Sequence, residues 1–247
     1  MTKFIKNSIP VVFLILLATV MYALTLRGDI GLDGSILWQN DYTIVRGGPY
    51  EGSNSSSRYA LTQSIVENNS FFLNREMATL AYPDLVRHNN NFFSIFTPGV
   101  SFLGIPFYIV GKYFGVPQIF TYLSTFFFAL MNLFLIAKIA QKLGAGRFTS
   151  LFSGFIFVFA TNAFSYSLTF TQHHLSTSII LLALLNAYGE RNWKTNIIFG
   201  LIFGIGIFTD IPNAFLLLPP LIYVLFKNFE VINDSSDLHI SVTWKVF

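Results

Sequence analysis

The chain has 247 residues, 53% of them hydrophobic and 11% charged, with 29 phenylalanines and a mean hydropathy of +0.58. A soluble domain carries about a quarter charged residues, so water is not the principal solvent of this chain. The formal charge of +3 does not indicate nucleic acid, because the basic residues stand in short clusters between apolar runs, and the absence of cysteine excludes disulfides, thiolate catalysis and cysteine metal sites.

Lys3 and Lys6 precede an apolar run at 9–26, about the length that crosses a hydrocarbon core, with no convincing small-residue cleavage site after it. The expectation is a retained anchor over 1–26 whose lysines stay cytoplasmic, so that the following loop faces outward. From 27 to 97 the composition is that of a soluble segment, with seven acidic residues, five arginines and no lysine. Within it, 56–68 reads as an amphipathic helix, with serines at its start as caps. The run 98–113 is apolar but short, and carries Gly99, Gly104, Pro106, Gly111 and Lys112. If it crossed the membrane, Lys138, Lys142, Arg147, Arg191, Lys194 and Lys227 would all fall outside. If it lies in the outer interface, they join Lys3 and Lys6 in the cytoplasm, and the positive-inside rule favours this second arrangement.

Charge-free stretches at 113–137, 148–189 and 211–226 then place spans at about 117–137, 148–167, 174–189, 195–209 and 212–226, six with the first. One helix over 195–226 would measure about 48 Å, longer than a core of about 30 Å, so a break is expected at Asp210-Ile211-Pro212. The predicted fold is all-α: a polytopic transmembrane bundle with an extracytoplasmic first loop containing juxtamembrane helices. Its parts are an anchor (1–26), a loop with interfacial helices (27–116), the bundle (117–228) and a tail (229–247). The tail shows no membrane signal, and the expectation it raises is a truncated member of a longer protein type. The expected location is the plasma membrane of a prokaryote.

At the outer surface Asp29, Asp33, Asp41, Glu51 and Asp84 offer carboxylates that could act as general base or hold a divalent cation. Glu51 is the preferred base because it follows Gly47-Gly48-Pro49 and precedes the helix bearing Arg58. Each of the five is more often simply a solvated loop charge. Arg58, and Arg87 with His88, suit a lipid phosphate through bidentate hydrogen bonds, with plain headgroup anchoring as the alternative. His173 and His174 end a polar stretch where imidazole could contact a phosphate, though adjacent helical histidines diverge by about 100° and make an awkward metal pair. Asp210 is the one acid in 195–226, either functional or a helix cap.

Three segments carry a family resemblance: SRYALTQSIVEN at 57–68, DLVRHNNNFFSIFTPGVSFLGIPFY at 84–108, and GLIFGIGIFTDIPNAFLLLPP at 200–220. Their order and spacing resemble the N-terminal half of the GT-C glycosyltransferases, the group containing protein O-mannosyltransferases and lipid A aminoarabinose transferases. The resemblance covers about residues 8–228. It implies a multi-span enzyme that takes a sugar from a polyprenyl- or dolichyl-phosphate donor, with its site between the first outer loop and the membrane surface. In that family an acidic residue precedes an Arg-Tyr pair, here Arg58 and Tyr59. Ser55, Ser56 and Ser57 stand before the pair in this chain, leaving Glu51 as the nearest upstream acid. Phe96 and Thr97 replace a charged residue before proline, and Asp210 stands where relatives carry a base. The rival expectations are a carrier of a lipid-linked substrate, with the helix break at Asp210 lining a pathway, and a truncated, non-catalytic homologue.

Overall fold

The computed structural model describes residues 2–25, 53–228, 230–234 and 237–241. Glu51, the preferred base, lies outside them, as do Asp29, Asp33 and Asp41. The described chain is mostly helical and divides into two compact units, Met1–Leu175 and Ser176–Phe247.

The first unit opens with α1 (Thr2–Thr25). Phe13, Leu16, Val20 and Leu24, spaced three or four residues apart, are exposed, while Ala18 and Tyr22 are buried on the other side. One helix face is therefore packed, and an apolar face is left outward. The loop segment then builds α2 (Ser53–Asn68), α3 (Arg75–Ala81), capped by Asn74 accepting from the Met77 N–H, and a hairpin of β1 (Leu85–His88) and β2 (Asn91–Ser94). The hairpin closes through Asn89 and Asn90, both at positive φ, as a tight two-residue turn requires and asparagine tolerates. Its register pairs His88 with Asn91 and Leu85 with Ser94. Ala60, Leu61, Leu73, Met77, Ala78 and Ala81 form a small core between α2 and α3.

α4 (Gly99–Tyr113) fills the short run whose crossing was in question, and turns back at Gly115, φ +74°, into α5 (Pro117–Lys142). By length and composition α5 is the one helix among the described residues able to cross a membrane, about 39 Å long. Shorter apolar helices follow. The expected span 148–167 is divided into α6 (Arg147–Phe159) and α7 (Ala163–Ser167). Thr161 explains the break: its hydroxyl donates to the Phe157 carbonyl and accepts from the Ala163 N–H, offering the backbone a local alternative to the helix. α5 and α6 pack so closely that a Cβ on Gly154 would clash with the Leu133 carbonyl oxygen.

α1 runs antiparallel to α5. Tyr22 packs against Phe126 at 4.3 Å between ring centroids, whereas Val11, about three turns of helix before it, lines a groove with Gln141.

In the second unit α8 (His173–Ala187), whose first residues belong to the first unit, leads to α9 (Trp193–Thr209), which starts in a capping box between Asn192 and Thr195. α9 stops at Thr209, and the chain resumes helix at α10 (Asn213–Leu216) and α11 (Leu218–Asn228), dividing the expected span 212–226. Pro212 has no N–H to continue the ladder. The Asn213 side-chain amide takes over, donating to the Gly206 carbonyl and to Ser176 Oγ, both at 2.9 Å. At the other end of α8, Lys227 donates to the carbonyls of Ala187 and Gly189, a favourable position for a cation at a helix C-terminus.

The mostly helical architecture is consistent with the all-α expectation and carries two short hairpins. Besides β1 and β2, the tail forms a second antiparallel hairpin, β3 (Glu230–Asp234) with β4 (Asp237–Ser241).

Candidate functional site

The inward side of α2 is polar. Ser55, Ser56, Ser57, Arg58, Thr62 and Ser64 are buried, although the sequence suggested serine caps on an amphipathic helix. The helix begins at Ser53, and the serines sit inside it. Burial of hydroxyls and a guanidinium is tolerable only with partners, and these are supplied by the chain that wraps around α2. Ser57 Oγ lies 2.7 Å from the Asp84 carbonyl and 2.7 Å from Ser94 Oγ. Ser53 donates to Asp84 Oδ2 at 2.7 Å. Ser101 donates to the Arg58 carbonyl at 2.9 Å, and Thr62 Oγ1 is within 3.1 Å of the Ser101 carbonyl.

Arg58 is 1% exposed. Its guanidinium donates to Gln172 Oε1 at 2.7 Å and to the Asn54 carbonyl at 3.2 Å, and its central carbon stands 3.8 Å above the Phe96 ring. Partners in the plane and an aromatic face above it hold the cation in one orientation. Tyr59, equally buried, turns the other way and packs on Tyr108, ring centroids 5.8 Å apart. Tyr108 and Lys112 both donate to Glu67, at 2.9 and 2.7 Å. The Lys112 hydrogen bond in particular holds the Glu67 carboxyl below its usual range. This cluster fixes the C-terminal end of α2 to α4.

The two other cationic candidates lie elsewhere on the loop segment. Arg87 and His88 are exposed at the hairpin tip, where Arg87 donates to Asn90 Oδ1. The end of the ribbon that meets Ser57 is three residues away, about 10 Å. The histidine pair diverges as expected of neighbours on a helix. His173 is half-buried, its ring 4.0 Å from that of Tyr166, while His174 is 2% exposed. His174 Nε2 is 2.7 Å from the Ala163 carbonyl, which can only accept, and Nδ1 is 3.2 Å from Asn132 Nδ2. That same amide nitrogen donates to the His174 carbonyl, so these partners assign the ring proton to Nε2. His174 thereby ties the first residues of α8, which belong to the first unit, to the middle of α5. Asp210, in the second unit, is half-buried, and its carbonyl accepts from the Asn213 N–H. Among the described residues no three His, Asp or Glu side chains gather where they could share a metal ion.

Residues 107–245, more than half of the chain, match the family described as dolichyl-phosphate-mannose-protein mannosyltransferase. The chain belongs to that family. No curated protein and no solved structure matches it. Membership in the mannosyltransferase family supports a membrane glycosyltransferase of the GT-C type. The matched region includes Gln172, His173, His174 and Asp210 but begins after Arg58, Tyr59, Arg87 and His88. The hydrogen bond from Arg58 to Gln172 therefore ties the loop segment to the part of the chain that carries the family match.

Three participants escaped the sequence reading of the site: Gln172 contacts Arg58, Ser94 is reached through Ser57, and Asn132 positions His174. Phe96, read only as the replacement of a charged residue, lies against the Arg58 guanidinium. The available signals were weak: Gln172 directly precedes the histidine pair, and Phe96 directly precedes Thr97-Pro98-Gly99.

Proposed function

We propose that this protein transfers a sugar from a polyprenyl- or dolichyl-phosphate donor to an acceptor at the outer membrane surface. In this reading it is polytopic, with its N-terminus in the cytoplasm. Glu51 serves as the base that deprotonates the acceptor hydroxyl, and Arg58 meets the donor phosphate. His173 lies beside that phosphate, and Arg87 with His88 reaches headgroups from the hairpin tip. Tyr59 and His174 act by positioning, and Asp210 is a further substrate-binding candidate. In such a transfer the acceptor oxygen bonds to the anomeric carbon, the bond from that carbon to the phosphate oxygen breaks, and the lipid phosphate leaves with the charge that Arg58 stabilises.

The observation that carries this reading is the 2.7 Å bond from Arg58 to Gln172. It joins the first outer loop to the residue next to the histidine pair, two segments that charge placement independently assigned to the same face. The antiparallel course of α1 and α5 supports the same topology. Had α4 crossed the membrane between them, the two would run in parallel.

The test is transfer by purified protein from a lipid-phosphate mannose donor. Arg58→Ala and Glu51→Gln are expected to lose transfer by 100-fold or more, on the order of 2.7 kcal/mol of transition-state stabilisation, with insertion unchanged. Wild-type turnover in both variants would remove the assignment.

A further inference from the structure

We propose that the turn joining α5 to α6 binds an anionic phospholipid, with the headgroup phosphate on Arg147 and Gln141 and an acyl chain against Val11 and Leu151. This rests on the chain being a membrane protein and does not depend on the transfer reaction. A groove of about 440 Å³, lined by Val11, Gln141, Arg147 and Leu151, opens between α1, the end of α5 and the start of α6. Two walls are apolar, one offers a guanidinium and one an amide. A free anion has no use for the apolar walls, while a neutral lipid has none for the cation. An anionic amphiphile uses both.

The surroundings reinforce that choice. Lys138 and Lys142 lie exposed on the last turns of α5, which places three cations within ten residues. The sequence holds no Asp or Glu from 85 to 189, so no carboxylate of that stretch offsets them. Leu143 and Phe148, at 72% and 80% exposure, flank the turn. Bare apolar side chains beside lysine and arginine at a helix end are the pattern of a membrane interface, where stems and rings enter the acyl region and charged heads reach phosphates. Thr121, beside the packing of Phe170 on α4, and Lys138 are separated by seventeen residues of α5, about 25 Å. None of the groove's lining residues is among the contacts of Arg58, which are Asn54, Gln172 and Phe96.

Native mass spectrometry of the full-length protein, equilibrated with phosphatidylglycerol or phosphatidylcholine, tests this. The wild type should retain phosphatidylglycerol with a preference of about tenfold or more, from cations each favoured near an anionic surface. The double variant Lys142→Gln/Arg147→Gln should lose the preference, and Lys194→Gln, outside this turn, should keep it. Equal retention of the two lipids by the wild type, or an undiminished preference in the double variant, would overturn the proposal. So would displacement of phosphatidylglycerol by millimolar inorganic phosphate, which would identify a free-anion site. Should the double variant fail to insert, salt decides instead: the wild-type preference should fall steeply toward 1 M NaCl, and a salt-independent preference counts against the site. Loss of transfer in Arg58→Ala with lipid preference intact would separate the two assignments.

Discussion

Arg58 and Arg147 are the same residue type in the same helical unit, yet their surroundings differ in kind. Arg58 is enclosed, with a glutamine oxygen, a backbone carbonyl and a phenylalanine face determining where its charge points. Arg147 is exposed and lines an open groove, and Lys138 and Lys142, exposed on the last turns of α5, share its sign. An enclosed cation can stabilise charge at one position, whereas a cluster of exposed cations attracts an anionic surface. The difference teaches that one basic residue type serves two tasks here, and that burial separates them.

The largest effects should come from breaking the enclosed end. Arg58→Ala removes a charged hydrogen bond that contributes about 1.5–3 kcal/mol, and should lower thermal stability as well as abolish transfer. Arg58→Lys separates these outcomes. It keeps the charge but cannot reproduce a planar fork between Gln172, Asn54 and Phe96, so transfer should stay low while stability partly recovers. If Arg58→Lys transfers as well as the wild type, orientation is not what Arg58 supplies.

Between the two ends lies Asn132, fully buried halfway along α5. Asn132→Leu removes the bonds to the ring and carbonyl of His174 and should cost about 0.6–1.7 kcal/mol, the range found for polar contacts between membrane helices. Transfer should fall in proportion to lost positioning, with donor affinity changed more than turnover. Unchanged melting would show that this link does not hold the His174 segment against α5.

The contrast also marks how far the residues could be read in advance. α5 was legible over 117–137 because a charge-free run of that length has one economical solution in lipid, and its last turn runs on to Lys142 because lysine side chains reach back to the interface. The stop at Thr209 was legible from Pro212. The split between Phe159 and Ala163 was not, because it depends on one threonine hydroxyl competing for backbone groups, and Thr161 has no proline beside it to announce this. In the loop, alternation of polar and apolar residues misled. The serines of α2 face inward because Asp84, Ser94 and Ser101 come from distant segments to meet them, and such pairing leaves no periodic trace. The turn at Asn89-Asn90 carried a signal in its asparagines, but Arg58 and Gln172 are 114 positions apart, and their approach belongs to the fold alone.

A smaller effect tests whether exposure, rather than location, sets the worth of a charge. Glu67 lies on α2 like Arg58, but its pair with Lys112 is partly open to solvent, and such pairs contribute about 0.2–1 kcal/mol. Its carboxyl is held below the usual range chiefly by the Lys112 hydrogen bond. The stabilisation is therefore present above the unfolded carboxylate range and is lost as pH falls through the lowered folded value. Melting of Glu67→Gln should trail the wild type slightly at pH 7, and the gap should close as pH falls below the usual carboxylate range. A gap that persists in acid would assign the loss to packing against Tyr108 instead.

The smallest effect on stability should come from the open end, and it sharpens the contrast most. Lys142→Gln and Arg147→Gln alter exposed side chains, and surface substitutions of this kind stay within about 0.5 kcal/mol. Neither should change melting or transfer appreciably in a zwitterionic membrane. In a membrane rich in phosphatidylglycerol the same substitutions should weaken lipid retention and leave the turnover of bound donor alone, because Lys138 stands about 25 Å along α5 from Thr121, which meets the same point of α4 as Phe170, two residues before Gln172. If instead turnover fell in step with lipid retention, the two ends of α5 would be coupled. The rigid contacts between α5 and α6, where Gly154 meets the Leu133 carbonyl without room for a methyl group, would then be the place to seek the connection.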